Sequence, residues 1–269
     1  MKTKFNCNLA PIITLFLVAF SLTNTFAQDR KPATKSEWSY FVEPYLLFPN
    51  MSGTVGLADL PEVAIDADTN EIFGNLKMGA MLYAEASNNK WAIGSDIIYM
   101  SLAQGIKPKY EVLSGEITAK QLAWEVSGLR KVNPWLELGV GGILNSVNSG
   151  VDIQHYSMNA QTGPGQPAVV NNSKEMTQTW FDPMLIARIK SKAGEKFIYQ
   201  FRGEIGGFGI GSDLAWQMQA VAGYQFSKLF SVTGGYRIIS LDYETGSGQD
   251  YFHYNIDTAG PTIRFGFQF

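Results

Sequence analysis

Thr262-Ile263-Arg264-Phe265-Gly266-Phe267-Gln268-Phe269 closes the chain with an apolar or aromatic side chain at every odd position and a polar or minimal one between. Successive side chains of a strand point to opposite faces. Ile263, Phe265, Phe267 and Phe269 therefore make one oily stripe, and Thr262, Arg264, Gly266 and Gln268 make a polar one. This predicts a strand with one face in lipid and the other on a polar lumen.

Working back from this strand, the same alternation recurs in ten segments separated by turn signals, as in a transmembrane barrel. The first spans 38–48. The second spans 76–86, with Leu76, Met78, Ala80, Leu82, Ala84 and Ala86 on one face and Lys77, Gly79, Tyr83 and Glu85 on the other. Asn88-Asn89-Lys90 turns into the third, 91–102, and a loop over 106–116 leads to a fourth in which Leu122, Trp124 and Val126 oppose Gln121, Glu125 and Ser127. Asn133-Pro134 turns into the fifth, where Leu136, Leu138, Val140 and Leu144 oppose Glu137, Gly139, Gly141 and Asn145.

Residues 146–175, rich in Asn, Gly and Pro, read as the longest surface loop before a sixth strand at 178–190. The seventh sends Phe197, Tyr199, Phe201 and Ile205 outward and Gln200, Arg202 and Glu204 inward. In the eighth, Leu214, Trp216, Met218 and Tyr224 face out; in the ninth, Phe230, Val232, Tyr236 and Ile238 oppose Ser231, Thr233, Gly235 and Arg237. Long loops alternate with tight turns, as an even-stranded barrel with both termini on one side requires. The expected fold is all-β, a closed antiparallel transmembrane β-barrel of ten strands, with eight as the alternative count.

Composition agrees. Charged residues make up 17% of the chain, below the roughly 25% of soluble domains, yet no segment after the N-terminal leader is apolar for the length a spanning helix needs. Lipid cannot hydrogen-bond an open sheet edge, so strands that cross it must close on themselves. At the N-terminus, Lys2 and Lys4, the apolar run 10–20 and Thr25-Phe26-Ala27 match a secretory signal peptide over 1–27, followed by a short periplasmic segment at 28–36 and the barrel at 37–269. Cys7, the single cysteine, falls in the leader, which excludes disulfides and cysteine chemistry from the exported chain. Two of the 21 basic residues also fall there, while all 24 acidic ones follow it. The acidic balance argues against a nucleic-acid partner.

With the oily face outside, Glu43, Lys77, Glu85, Asp96, Glu125, Glu137, Asp182, Arg188, Arg202, Glu204, Arg237 and Arg264 are expected to line the lumen. A barrel of this size is just wide enough for its side chains to fill, so mixed charges predict a packed network, with a narrow polar conduit as the alternative. Trp38, Trp91, Trp135, Trp180, Trp216, Tyr224 and Phe269 are expected at the membrane interfaces, where aromatic side chains gather.

Other motifs carry little. Asp66-Ala67-Asp68-Thr69-Asn70 starts like a calcium loop, but Glu71 stands where glycine is needed and Lys77 where a bidentate glutamate belongs; 63–68 reads better as a strand extending the first hairpin. The glycines of 206–211 are followed by a strand pattern rather than the helix that a phosphate loop requires. His155 and His253, both in expected outer loops, are the only histidines, and their neighbours Asp152, Asp250 and Asp257 give no specific catalytic spacing. No enzyme activity, cofactor or metal is expected, and a surface hydrolase using a loop histidine is the minor alternative.

Residues 38–49, the Lys90-Trp91 strand start with Asp96 and Tyr99, the 206–216 segment, Gly235-Tyr236-Arg237 and the aromatic C-terminus together resemble small outer-membrane β-barrel proteins of Gram-negative bacteria, a loosely defined group. The resemblance implies export to the outer membrane, with membrane lipid and, through the C-terminal strand, the barrel-assembly machinery as partners. It transfers no catalytic residues. The function expected is a non-enzymatic barrel with a structural or surface-interaction role through its outer loops.

Overall fold

The computed structural model describes residues 38–57, 62–106, 112–163, 166–192 and 194–269. The expected leader and the 28–36 segment lie outside them, as does the side chain of His155. Twelve strands follow in chain order: β1 (Ser39–Leu47), β2 (Asn50–Leu57), β3 (Val63–Ala67), β4 (Leu76–Ser87), β5 (Trp91–Ile106), β6 (Val112–Lys131), β7 (Leu136–Gly163), β8 (Gln166–Lys190), β9 (Phe197–Gly207), β10 (Leu214–Gln225), β11 (Phe230–Thr245) and β12 (Phe252–Gln268). One short helix, α1 (Thr69–Asn75), separates β3 from β4.

Each strand from β4 to β12 pairs antiparallel with the next, and β1 closes the ring between β4 and β12. Closure sets Val42 against Phe267 and Tyr45 against Arg264, and Tyr40 and Phe269 exchange backbone hydrogen bonds at 3.1 and 2.7 Å. Past a break at Phe48-Pro49, β2 continues the line of β1 along β12, so the barrel has ten staves. The break is tight. A Cβ on Gly260 would lie 2.0 Å from the Phe48 carbonyl oxygen, which makes glycine obligatory opposite it.

The short turns are built by side chains that cap their own backbone. Asn88 Oδ1 accepts the Lys90 and Trp91 amides at 2.8 and 2.9 Å, and Asn133 Oδ1 accepts those of Trp135 and Leu136 at 3.0 and 2.8 Å. Ser227 Oγ does the same for Leu229 and Phe230 at 3.2 and 3.0 Å.

Outward side chains form an apolar girdle that includes Trp91, Ile97, Trp124, Leu138, Val140, Phe181, Leu185, Phe201, Met218 and Phe265, all exposed. Water would drive such a surface to associate; hydrocarbon solvates it. Trp124 even satisfies its indole N–H on this face, donating to Ser95 Oγ at 3.0 Å. On β12 the girdle runs from Ala259 to Phe269, about ten residues at ~3.3 Å each, which at a tilt of roughly 40° rise ~25 Å, the height of a barrel's apolar band.

Above the girdle the polarity of each strand inverts. On β12 the outward side chains change from Phe265 and Ile263 to Asp257 and Asn255, while the inward ones change from Arg264 and Thr262 to Ile256, Tyr254 and Phe252. On β11, Arg237 gives way inward to Leu241 and Tyr243, and Tyr236 outward to Glu244. The long-loop end is therefore built like a water-soluble barrel with an oily core.

This inversion corrects three sequence expectations. The stretch 146–175 is no loop: β7 and β8 remain paired through Gly163 opposite Gln166. Asn148 and Ser146 there face outward in cross-strand pairs, Asn148 donating to Glu175 at 2.7 Å and Ser146 accepting from Thr179, just past the stretch, at 3.0 Å. His253 likewise lies in a strand, on β12 opposite Glu244. Trp180, expected at the lipid interface, is only 5% exposed inside the barrel. It shares its face with Asp182, and it is Phe181 that meets the lipid.

A window interrupts the wall beside β1. Pairing of β1 with β4 stops at Pro44 opposite Leu82, and β2 takes β3 as its new neighbour only from Met51. Between them, residues 45–50 and 76–81 face each other without backbone pairing. Helix α1 fills the gap. Asp68 caps it, accepting the Glu71 amide at 2.9 Å while Glu71 reaches back to the Asp68 amide, a capping box on the residues that had resembled a calcium loop. Thr69 Oγ1 donates to the Pro49 carbonyl at 3.0 Å, Phe73 stacks on Phe48 at 5.5 Å, and Ile72 is buried.

Candidate functional site: the lumen

The inward residues of the girdle zone come from every stave, because alternate positions of each strand converge on the axis. Eleven of the twelve charged side chains expected there are buried; the exception, Lys77, is exposed at a bulge between Leu76 and Met78, which breaks its alternation. Seven carboxylates and four guanidiniums are thus buried there, six of the carboxylates paired with arginine.

Each arginine is held by carboxylate. Arg188 donates from Nε to Glu137 at 2.6 Å and from Nη1 to Tyr83 at 3.0 Å, and is also paired with Glu85. Lys190, at the rim, adds a contact to Glu137 at 2.9 Å. Arg202 bridges Glu125 and Glu204. Those two carboxylates also share the amide of Gln217, whose Nε2 donates to them at 2.9 and 2.6 Å.

Gln217 Oε1 in turn accepts from Arg237 at 2.7 Å, and Arg237 reaches Asp96 at 2.8 Å and the Tyr45 hydroxyl at 2.9 Å. Arg264 donates to Glu43 at 2.6 Å and to Gln219 at 2.8 Å, with its guanidinium 4.3 Å from the centre of the Tyr45 ring. Sequence alternation placed the charges; Gln217 and Tyr45 link the Arg202 and Arg237 groups and set Arg264 beside them, and the Tyr83 ring, bonded to Arg188, lies about 6 Å from Arg202 and Arg264. Unpaired, such charges would be prohibitive to bury.

Asp182 stands apart from the arginines. It accepts from Asn145 at 2.9 Å, from the Trp180 indole at 3.0 Å and from the amide and hydroxyl of Ser212. Above it, Trp180 lies flat on Tyr243 with centroids 4.2 Å apart, and Phe252 and Tyr254 complete an aromatic plug.

The free space follows this layering. A cavity of about 640 Å³ opens at the short-turn end, lined by Ser39, Asn88, Lys131, Lys190 and Gln268 among others, and ends against Tyr83 and Arg188. Beyond it remain voids of about 10 and about 50 Å³, the larger between the charge network and the plug.

On the outer surface of the long-loop end, His253 Nδ1 lies 2.9 Å from Glu62 Oε1 and its Nε2 3.7 Å from Asp242 Oδ1. Both ring nitrogens face carboxylates. Of the expected interface aromatics, Trp38, Trp91, Trp135, Tyr224 and Phe269 are exposed and Trp216 is half-buried.

No protein-family model matches the chain, and no curated protein matches it. Several solved structures do. The attachment invasion locus protein Ail of Yersinia pestis, crystallised with the heparin analogue sucrose octasulfate, is 11% identical over 86% of this chain and 98% of its own, with a TM-score of 0.34. The outer-membrane protease OmpT of Escherichia coli is 8% identical over 89% and 99%, with a TM-score of 0.48. The toluene transporter TodX of Pseudomonas putida is 7% identical over 88% and 91%, with a TM-score of 0.37. These are outer-membrane β-barrels of Gram-negative bacteria.

Proposed function

We propose that the chain is a sealed outer-membrane barrel that neither catalyses nor conducts, and that acts through the hairpins it raises above the membrane. The observation that carries this reading is the double closure of the lumen. A layer of paired arginines and carboxylates is backed by an aromatic plug, and the voids between them hold a few waters at most. Each layer alone would oppose an ion: the first by filling the bore with fixed charge pairs, the second by stacking aromatic rings across it. The parts free to meet a partner are then the β7–β8 hairpin and the segment 51–75, and the aromatic C-terminal strand serves as the handle for barrel assembly.

Planar-bilayer recording of the refolded protein tests the proposal. The expected result is a silent membrane with the protein inserted; reproducible unitary steps would overturn it. The second reading, a narrow polar conduit, draws on the cavity open at the short-turn end, which reaches well into the bore. It predicts steps that grow when Trp180 is replaced by alanine.

A further inference from the structure

We propose that the cavity at the short-turn end is a binding site for one small organic carboxylate with a compact apolar body, entering from the side that carries both ends of the barrel. At about 640 Å³ the cavity has the size of a small-molecule site, roughly 300–1,000 Å³. Tyr83 and Arg188 form its floor.

Its walls differ in kind. Lys131, Arg188 and Lys190 line it on β6 and β8, with Lys192 in the turn that follows. Glu85 and Glu137 pair with Arg188 and Lys190, and Glu43 is taken by Arg264. Lys131 and Lys192 are left without a carboxylate among the described residues. The surplus charge at this mouth is therefore positive, although the chain carries more acids than bases.

Five staves round the ring from β8, Phe41 on β1 presents an aromatic ring to the same space. A Cβ on Gly266 would lie 2.7 Å from that ring, so glycine is what lets it lie against β12. Ile198 and Val221, on β9 and β10, extend the apolar side. Thr233, on β11 and five staves from Lys131, lines the cavity as well. It is 5% exposed, and its Oγ1 has no hydrogen-bond partner among the described residues.

These features select the ligand. A bare anion would meet the lysines and leave the apolar wall wet, while a hydrocarbon would leave Lys131 and Lys192 unmatched. An ion pair at a wet rim contributes little by itself, so the apolar wall has to carry part of the affinity. A carboxylate with an apolar body uses both, its anionic end beside Lys131 and Lys190 and its body on Phe41, Ile198 and Val221. A hydroxyl or amide on that body would satisfy Thr233.

Calorimetric titration of the refolded protein, in discs of zwitterionic lipid with empty discs subtracted, tests this. The probes are 2-naphthoate, its neutral counterpart 2-naphthalenemethanol, and inorganic phosphate. We expect 2-naphthoate to saturate at one site per barrel and the other two to bind at least tenfold more weakly. Lys131→Gln combined with Lys192→Gln should weaken 2-naphthoate about fivefold or more and leave the alcohol unchanged, whereas arginine at both positions should retain binding. If the glutamine variant does not give a heat-modifiable barrel, Ser39→Cys at the mouth is coupled to a bulky maleimide, which should abolish binding; the only native cysteine lies in the expected leader. Binding that does not saturate, that is equal for the alcohol or for phosphate, or that is indifferent to the lysines or to a blocked mouth would overturn the proposal. Because the site ends at Tyr83 and Arg188, none of these outcomes depends on whether the bore conducts.

Discussion

Asp182 holds Ser212 by both of its oxygens, Oδ1 accepting the backbone amide at 2.6 Å and Oδ2 the hydroxyl at 2.9 Å. Since Asp182 lies on β8 and Ser212 in the β9–β10 turn, a single fully buried carboxylate fixes that turn over the bore. The turn needs fixing: Gly207, Phe208 and Gly209 all have positive φ, 82°, 52° and 70°, and a phenylalanine in that region is strained.

Replacing Asp182 by alanine strands three donors at once, the Ser212 amide and hydroxyl and the Asn145 amide, while the Trp180 indole keeps Ser212 Oγ at 3.0 Å. Each buried donor left unsatisfied costs about 1–3 kcal/mol, so Asp182→Ala should lose roughly 3–5 kcal/mol even with partial relaxation. Urea titration in detergent, followed by the gel shift between folded and heated forms, reads the loss. A change below about 1 kcal/mol would mean that water replaces the carboxylate.

Arg202 and Glu125 should behave unequally. Arg202 is the shared cation of Glu125 and Glu204, so Arg202→Met leaves two carboxylates facing each other in a dry bore, at a cost of roughly 3–5 kcal/mol. Glu125→Gln keeps an oxygen for the guanidinium and removes one charge from a lumen where acids outnumber arginines. Its new amide NH2 faces the Gln217 Nε2 that donates to Glu125 at 2.9 Å, so the substitution should cost about 1–2 kcal/mol, still well below Arg202→Met. The same titration ranks them, and the reverse order would show that the surplus carboxylates are balanced by something other than arginine.

Much of this bore was legible because the girdle strands keep a strict two-residue period with opposite solvents on their two faces. Arg202, Glu204, Arg237 and Arg264 could be placed by counting alone. What escaped the reading came from assuming one solvent polarity along a whole strand. Carrying the inward parity of Arg237 onward gives Ile239, Leu241 and Tyr243, an oily core where a polar lumen was expected, and the parity of Asp182 puts Trp180 beside it. The helix had a local signature too, in Asp68-Thr69-Asn70-Glu71, a capping box. The window behind it had none, since it depends on which strands pair at a distance.

The two adjacent aromatics of β8 offer a test of the inversion. Trp180→Ala removes the centre of the plug and should cost about 3–5 kcal/mol, as large-to-small changes in a packed core do. Phe181→Ala should cost under about 1 kcal/mol, because lipid chains flow into the space it leaves and no dry cavity forms. Quenching by brominated lipid gives a second readout. Tryptophan fluorescence lost in Trp180→Ala should be the component that the quencher does not reach.

The edge of the girdle can be located with a charge. Leu138 and Thr177 both point outward on neighbouring strands, both exposed, but Leu138 belongs to the apolar band and Thr177 lies past the inversion, beside Asn148 and Glu175. An arginine on the lipid face of a barrel costs about 2–4 kcal/mol at mid-membrane and ~0–1 near the interface. Leu138→Arg should therefore lower stability by a few kcal/mol and slow insertion into bilayers, whereas Thr177→Arg should be neutral, since a long side chain there reaches water and has Glu175 within reach. Equal penalties would place Thr177 in hydrocarbon and raise the membrane surface along β7 and β8. The plug of Trp180, Tyr243 and Phe252 would then sit at membrane depth, and the upper barrel would lose its reason to resemble a soluble one.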